Sequence, residues 1–408
     1  MKVGFISFRI AGTDGVSLEA ERWKIVLERM GHKVTFIAGE LDRGGILIPS
    51  FHFAHPEVYG VHELVVNSRV DYRKVEAKVF EQAGKIEGEI REMLKIHKFD
   101  CLVVANVFSL PIHFSLAVAL SRVIEEKGIK TVSRNHDFWW ERKRYLKSDC
   151  FELFERFFPP KSKLVSHVVI NSLAKKEMKK RTGMSSEVIG DCFDFGNGLN
   201  KRDKFNASFR KDLGLKEKDI VFLQATRIVP RKRIELSVEL VKRLKDQRIV
   251  LVLAGYAGDE SGDYLKRLRQ KVKEAGIRAK FIGNKVGSER KIKECGRKIY
   301  TLWDCFVNCD FVTYPSSFEG FGNQFIEAVY FKKPIFVNRY GVYKKDLESL
   351  GFETVSIDGK VTRETVSKVA GWLEDGKEVS RVVEKNFKIG KKHFSFEATA
   401  RKLKKLGF

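Results

Sequence analysis

No apolar run in this chain approaches the length of a bilayer-spanning helix, no two cysteines form a C-x-x-C pair, and no two aspartates form a compact D-x-D. A helical span needs about 20 apolar residues, and the apolar start of the chain is broken by Arg9, Gly12 and Asp14 before it reaches signal-peptide length. The six cysteines (Cys101, Cys150, Cys192, Cys295, Cys305, Cys309) are scattered, and the gap from Cys305 to Cys309 does not suit a zinc knuckle. Reduced thiols in a cytoplasmic protein are the expectation. Asp14, Asp137 and Asp194 stand apart and the histidines lack ligand spacing, so no obligatory metal is expected. Proline is scarce, at 8 of 408 residues, and 43% of the chain is hydrophobic, the reverse of a disordered composition. Acid is also in short supply. Against 77 Lys and Arg there are 53 Asp and Glu, a net charge of +24, which draws phosphate-bearing partners. Nucleic acid, an anionic membrane surface and a small nucleotide all fit that sign. Basic residues recur along most of the chain, with runs such as Arg231-Lys232-Arg233, but no compact basic block is interleaved with stacking aromatics. Nucleic acid is therefore not expected as a partner.

What is present is a long alternation of short apolar runs and helical patterns. At 408 residues the chain exceeds the size of a single growing core, so two domains with a cleft between them are expected. Strand-like runs at Lys2–Phe8 and Lys33–Ala38 flank the loop Gly12-Thr13-Asp14-Gly15 and an amphipathic helix from about Ser17 to Met30. Further units follow: a helix over Tyr72–His97, a strand at Cys101–Ala105, a helix to about Lys127, and strands at Lys130–Arg134, His167–Asn171 and Glu187–Ile189. After a charged stretch near Asn200 the alternation restarts, with strands at Ile220–Ala225, Val250–Ala254, Ala279–Ile282, Phe311–Tyr314 and Pro334–Val337. Right-handed crossovers make each half a doubly wound, Rossmann-like α/β domain with a parallel sheet. The expected domains are 1–200 and 201–390, with 391–408 a C-terminal helix packing back across the interface. Ligands of such sheets bind outside the carboxyl ends of the strands, so the chemistry is sought in the loops there.

Three of those loops carry candidates. Tyr314-Pro315-Ser316-Ser317 ends a strand, Glu319-Gly320-Phe321-Gly322 is a glycine-rich turn, and a helix starts at Asn323. Such a turn offers backbone N–H groups and a positive helix end to a diphosphate. Glu319 in the turn can reach a sugar, and Glu327, about a turn inside the helix, can accept hydrogen bonds from a diol. Thr226-Arg227-Ile228-Val229-Pro230-Arg231-Lys232 follows the first strand of the second half. Arg227 can grip phosphate oxygens bidentately while Lys232 supplies a point charge, and fixed cations stabilise the charge that grows on a departing diphosphate. Arg231 and Arg233 read as solvated. In the first half, Arg134-Asn135-His136-Asp137 ends a strand, with Phe138-Trp139-Trp140 behind it. Those aromatics suit sugar stacking, although aromatics more often fill cores.

The Glu319-x7-Glu327 spacing around Gly320-Phe321-Gly322 resembles the signature of the retaining GT-B glycosyltransferases of family 4, the glycosyltransferase group 1 superfamily. The segment Arg227 to Lys232 resembles that family's R-x-x-x-x-K element. What the resemblance implies is transfer of a hexose from a nucleoside diphosphate sugar to an acceptor hydroxyl with retention. It further implies that Glu319 sits by the donor sugar, that Gly320, Phe321, Gly322 and Asn323 meet sugar and phosphate, and that Glu327 holds the ribose. Arg227 and Lys232 would bind the donor phosphates, His136 would lie near the donor sugar, and Gly15 and Gly283 would lie where the backbone approaches the donor. The glycine pair of the family's first loop is here spread by Thr13 and Asp14, and Asp191 and Cys192 depart from its Asn-Gly-x-Asp element, of which Asp194 matches the last residue. The acceptor is open between a sugar, a sugar phosphate and a lipid-linked molecule, the last with peripheral membrane contact. Two rival readings are a nucleotide-sugar-binding protein of this fold without turnover and a basic nucleic-acid-binding protein; intact Glu319, Glu327, Arg227 and Lys232 argue against both.

Overall fold

The apolar run Val3–Ile6 is buried along its whole length, as a strand covered on both faces must be, and it anchors a parallel sheet. The computed structural model describes residues 1–12, 14–66, 71–256 and 262–408, so Thr13 of the first-half loop lies outside the described residues. It divides into two compact units, Met1–Asp191 with Thr399–Phe408, and Cys192–Ala398. The division falls ahead of the charged stretch near Asn200, and the end of the chain groups with the first unit.

In the first unit the strands are β1 (Lys2–Ser7), β2 (Lys33–Ala38), β3 (Ile46–Leu47), β4 (Cys101–Ala105), β5 (Thr131–Asn135), β6 (Val165–Val169) and β7 (Glu187–Val188). They form one parallel sheet in the order β3-β2-β1-β4-β5-β6-β7. The order reverses between β1 and β4, which puts the loops after these two strands at a topological switch point. The expected strand His167–Asn171 is displaced to β6, because Asn171 leaves the sheet to cap the helix Ser172–Thr182, its side chain accepting from the Ala174 N–H at 2.7 Å. The aromatics Phe138, Trp139 and Trp140 belong to the core; Phe138 and Trp140 stack at 4.4 Å, and Trp139 donates to the Phe158 carbonyl at 2.9 Å.

In the second unit β8 (Ile220–Gln224), β9 (Ile249–Leu253), β10 (Ala279–Phe281), β13 (Phe311–Tyr314), β14 (Ile335–Asn338) and β15 (Val355–Ile357) run in the order β10-β9-β8-β13-β14-β15, again parallel. A small antiparallel hairpin, β11 (Lys291–Ile292) with β12 (Lys298–Ile299), precedes β13. Here the switch falls between β8 and β13, so the two motif-bearing loops of the second half leave adjacent strands. The Gln224 side chain stabilises that junction, accepting from Thr313 at 2.8 Å and Ser237 at 3.1 Å. The chain closes with two helices, Gly376–Phe394 and Phe396–Lys405, separated at Ser395. Among the described residues no helix is long and apolar enough to cross a membrane.

Candidate active site

Adjacency of β8 and β13 brings Lys232 onto Glu319. The turn Pro230–Lys232 delivers the lysine, and its Nζ contacts Glu319 Oε1 with both side chains nine-tenths buried. Arg231, read from the sequence as solvated, turns to the same carboxylate: its Nη1 lies 2.8 Å from Glu319 Oε2 and 3.1 Å from the Phe318 carbonyl. Arg233 alone of the three cations turns away, to Glu235 at 2.8 Å. The backbone locks the two loops together, since the Ser317 N–H donates to the Arg231 carbonyl at 2.8 Å. Burial alone would raise the Glu319 carboxyl, but Lys232 and Arg231 outweigh it and hold the group below its ordinary value, so it is ionised at neutral pH.

The glycine turn is equally determined. Tyr340, buried and edge-on to Tyr314 at 6.1 Å, donates to the Phe321 carbonyl at 2.8 Å. Gly322 has φ +128, and a Cβ there would lie 2.5 Å from the Tyr340 hydroxyl. Backbone strain of this kind costs on the order of 1–3 kcal/mol. Gly322→Ala is accordingly expected to lower the unfolding free energy by that amount, seen as a lower urea midpoint, and to reduce turnover, whereas Tyr340→Phe, which keeps the backbone, loses less of both. Equal midpoints for the two variants would show that φ at Gly322 is not under constraint. Gly322 is also the N-cap residue of the helix Asn323–Tyr330, and as a glycine it has no side chain with which to cap it. In its first turn Gln324 is buried with neither amide atom hydrogen-bonded among the described residues, and Glu327 lies half-buried within its second turn.

The remaining candidates are placed differently. Arg227 is exposed on the loop after β8 and pairs with no carboxylate among the described residues. Gly283 is required by its own fold: a Cβ would meet the Gly255 carbonyl at 2.8 Å, and one on Gly255 would meet the Thr226 carbonyl at 1.8 Å. The loops after β8, β9 and β10 thus stack backbone on backbone.

In the first unit, the helix Gly15–Arg29 begins earlier than expected because Asp14 caps it. Asp14 Oδ1 accepts from the N–H groups of Val16 at 3.0 Å and Ser17 at 3.2 Å, and Arg9 stands 3.0 Å from Oδ2. Burial of this carboxyl opposes, but Ser17 and Arg9 prevail, and its pKa is lowered. This helix end therefore already holds an anion of its own, and Gly15 is its first residue. His136 follows β5, with its Nε2 shielded and its Nδ1 3.1 Å from Asn106 Oδ1. Burial first, and Arg134 second, push the imidazole well below its ordinary value, so it is neutral. Behind it Arg134 is fully buried between Glu19 at 3.1 Å and Asp191 at 3.0 Å, and lies 4.4 Å over the Trp23 ring. That cluster was not read from the sequence. The departure at Asp191 was the available signal, but its partner lies in β5, far from it along the chain.

Two doubly wound units and a carboxylate held by two cations at a β8–β13 switch point define a GT-B glycosyltransferase. The chain belongs to the group 1 glycosyltransferases: the family model "Glycosyl transferases group 1" matches residues 205–389, and relatives resemble nearly the whole chain. A mannosylglucosylglycerate synthase of Petrotoga mobilis is 36% identical over 89% of this chain and 88% of its own length. One of Thermotoga maritima is 32% identical over 97% of each. Among solved structures, Anabaena Alr3699/HepE in complex with UDP shares the fold, with TM-score 0.63 at 16% identity over 99% of both chains. The protein is thus an enzyme of glycosyl transfer.

Proposed function

We propose that this enzyme transfers a mannosyl unit from a nucleoside diphosphate sugar to a hydroxyl of a small sugar acid of the glucosylglycerate type, with retention at the anomeric carbon. The observation that carries the donor half is the Lys232–Glu319–Arg231 cluster on the turn that leads into the helix at Asn323. A helix end and two basic side chains, Arg227 and Lys232, suit the diphosphate. The N–H groups of Gly320 to Asn323 suit sugar and phosphate oxygens, and Glu327 suits the ribose diol. As the bond from the sugar C1 to the diphosphate breaks, positive charge grows on the sugar beside the Glu319 carboxylate and negative charge on the phosphate beside Lys232. The leaving phosphate can accept the proton of the acceptor hydroxyl, so no separate base is assigned. In the first unit His136 offers a sugar hydroxyl a neutral imidazole, and Gly15 a backbone amide. Gly283 serves as a packing residue that shapes the wall.

The sugar and the acceptor are supported by the name shared by both relatives, and an anionic acid suits a chain of net charge +24. That favours a soluble acceptor over a lipid-linked one. Retention and a metal-free reaction belong to the same proposal. The test is an assay of GDP-mannose, UDP-glucose, ADP-glucose and UDP-N-acetylglucosamine with glucosylglycerate, the product anomer being read by NMR. GDP-mannose should be the preferred donor and the product α-linked, with EDTA leaving the rate within about twofold of the untreated enzyme. A β-linked product overturns retention, and loss of activity in EDTA restored by a divalent cation overturns the metal-free mechanism.

A further inference from the structure

Two hydrogen bonds at the end of β4 determine more than the position of His136. Asn106 Oδ1 accepts from the His136 backbone N–H at 2.8 Å and lies 3.1 Å from His136 Nδ1. The backbone N–H can only donate, so the atom facing it must be the amide oxygen and not the amide nitrogen. An oxygen there can only accept, so Nδ1 must carry the proton. In a neutral imidazole the other nitrogen is then bare. That other nitrogen, Nε2, is shielded from solvent with no hydrogen-bond partner among the described residues.

We infer that Asn106 is a positioning residue that fixes the Nδ1–H tautomer of His136, leaving Nε2 as an acceptor reserved for a substrate hydroxyl; this rests on the transfer reaction proposed above. Asn106 is itself rigidly held. It is 5% exposed, its N–H donates to the Arg134 carbonyl at 2.9 Å, and its carbonyl accepts from Ser109 at 3.1 Å and Leu110 at 2.9 Å. Its φ is +62, a left-handed conformation that asparagine tolerates better than most residues. Two buried histidines carry the opposite tautomer and serve as internal references. His113 Nε2 donates to the Ser50 carbonyl at 2.7 Å while its Nδ1 accepts from the Leu116 N–H, and His167 Nε2 donates to the Pro160 carbonyl at 3.2 Å.

The experiment is histidine nitrogen NMR of the isotopically labelled full chain without substrate, with the His136 signals assigned by His136→Gln. Wild type is expected to show His136 protonated at Nδ1 and bare at Nε2, the reverse of His113 and His167. Asn106→Gly, which tolerates the backbone but removes the acceptor, should shift His136 toward Nε2–H and lower kcat by about tenfold, the size of one lost hydrogen bond, with less change in donor KM. Asn106→Asp, which retains an oxygen, should restore Nδ1–H. A wild-type His136 protonated at Nε2, or an Asn106→Gly protein with an unchanged tautomer, overturns the assignment whatever the substrate proves to be. A shifted tautomer with unchanged kcat overturns the role in turnover. The wild-type spectrum decides the tautomer even if Asn106→Gly folds poorly.

Discussion

Glu319→Gln is expected to lower kcat by about 10²–10³-fold, with a much smaller change in donor KM, because the interaction removed acts on charge present only as the glycosidic bond breaks. Glutamine preserves the shape and leaves the turn intact, so the loss reports charge alone. Steady-state kinetics with the preferred donor decide it, and a kcat within about twofold of wild type would remove Glu319 from the chemistry. The same variant has a stability signature. The Glu319 carboxyl is held below its ordinary value by Lys232 and Arg231. A group depressed in the folded state contributes stability that is complete above its unfolded value and is lost as the pH falls through its folded value. Wild type should therefore lose this contribution in the acid range, below the ordinary glutamate pKa, while Glu319→Gln should lack that part of the acid dependence. At neutral pH the variant should be the less stable of the two, since it leaves Lys232 buried without its carboxylate.

The largest effect on stability is expected at Arg134→Met. Arg134 and Glu19 are fully buried and Asp191 nearly so. Breaking a buried ion pair by removing one member costs about 3–5 kcal/mol, since the partner charge is stranded. Here two carboxylates lose a common cation, although Glu19 keeps Arg22 at 2.6 Å. Denaturant titration of the first unit's transition should show the loss, and Glu19→Gln added to Arg134→Met should recover part of it. Strict additivity of the two substitutions would mean that the residues are not coupled. Arg134→Lys should be a poor substitute, because lysine cannot span Glu19, Asp191 and the Ile189 carbonyl while covering the Trp23 face.

The sheet architecture was legible because parallel strands are buried on both faces and therefore mostly read as continuous apolar runs; β4, β9 and β13 were placed within a residue of their bounds, and so was β5, although four of its five residues are polar. The spacing of Glu319, Glu327, Arg227 and Lys232 was legible for a different reason, since each pair sits on a single strand–turn–helix segment. Contacts between segments were not. Nothing in Arg231-Lys232-Arg233 tells which cations turn inward; that is set by the turn at Pro230 and by a carboxylate arriving from β13. Asn106 was overlooked because its meaning depends on the neighbouring strand end, and the start of the first helix shifted because Asp14 was read as loop rather than as a cap.

The return of Thr399–Phe408 to the first unit bears on how the second unit could be exchanged between members of this family. The second unit is an insertion within the chain and not its terminal half. A chimera joined once near residue 200 would replace the last helix with the other parent's, and so remove Leu403, which is fully buried, and Phe408, which stands 6.1 Å from His32 of the first unit. Grafting therefore calls for two junctions, one at Asp191–Cys192 and one at Ala398–Thr399, so that the recipient keeps its own terminus.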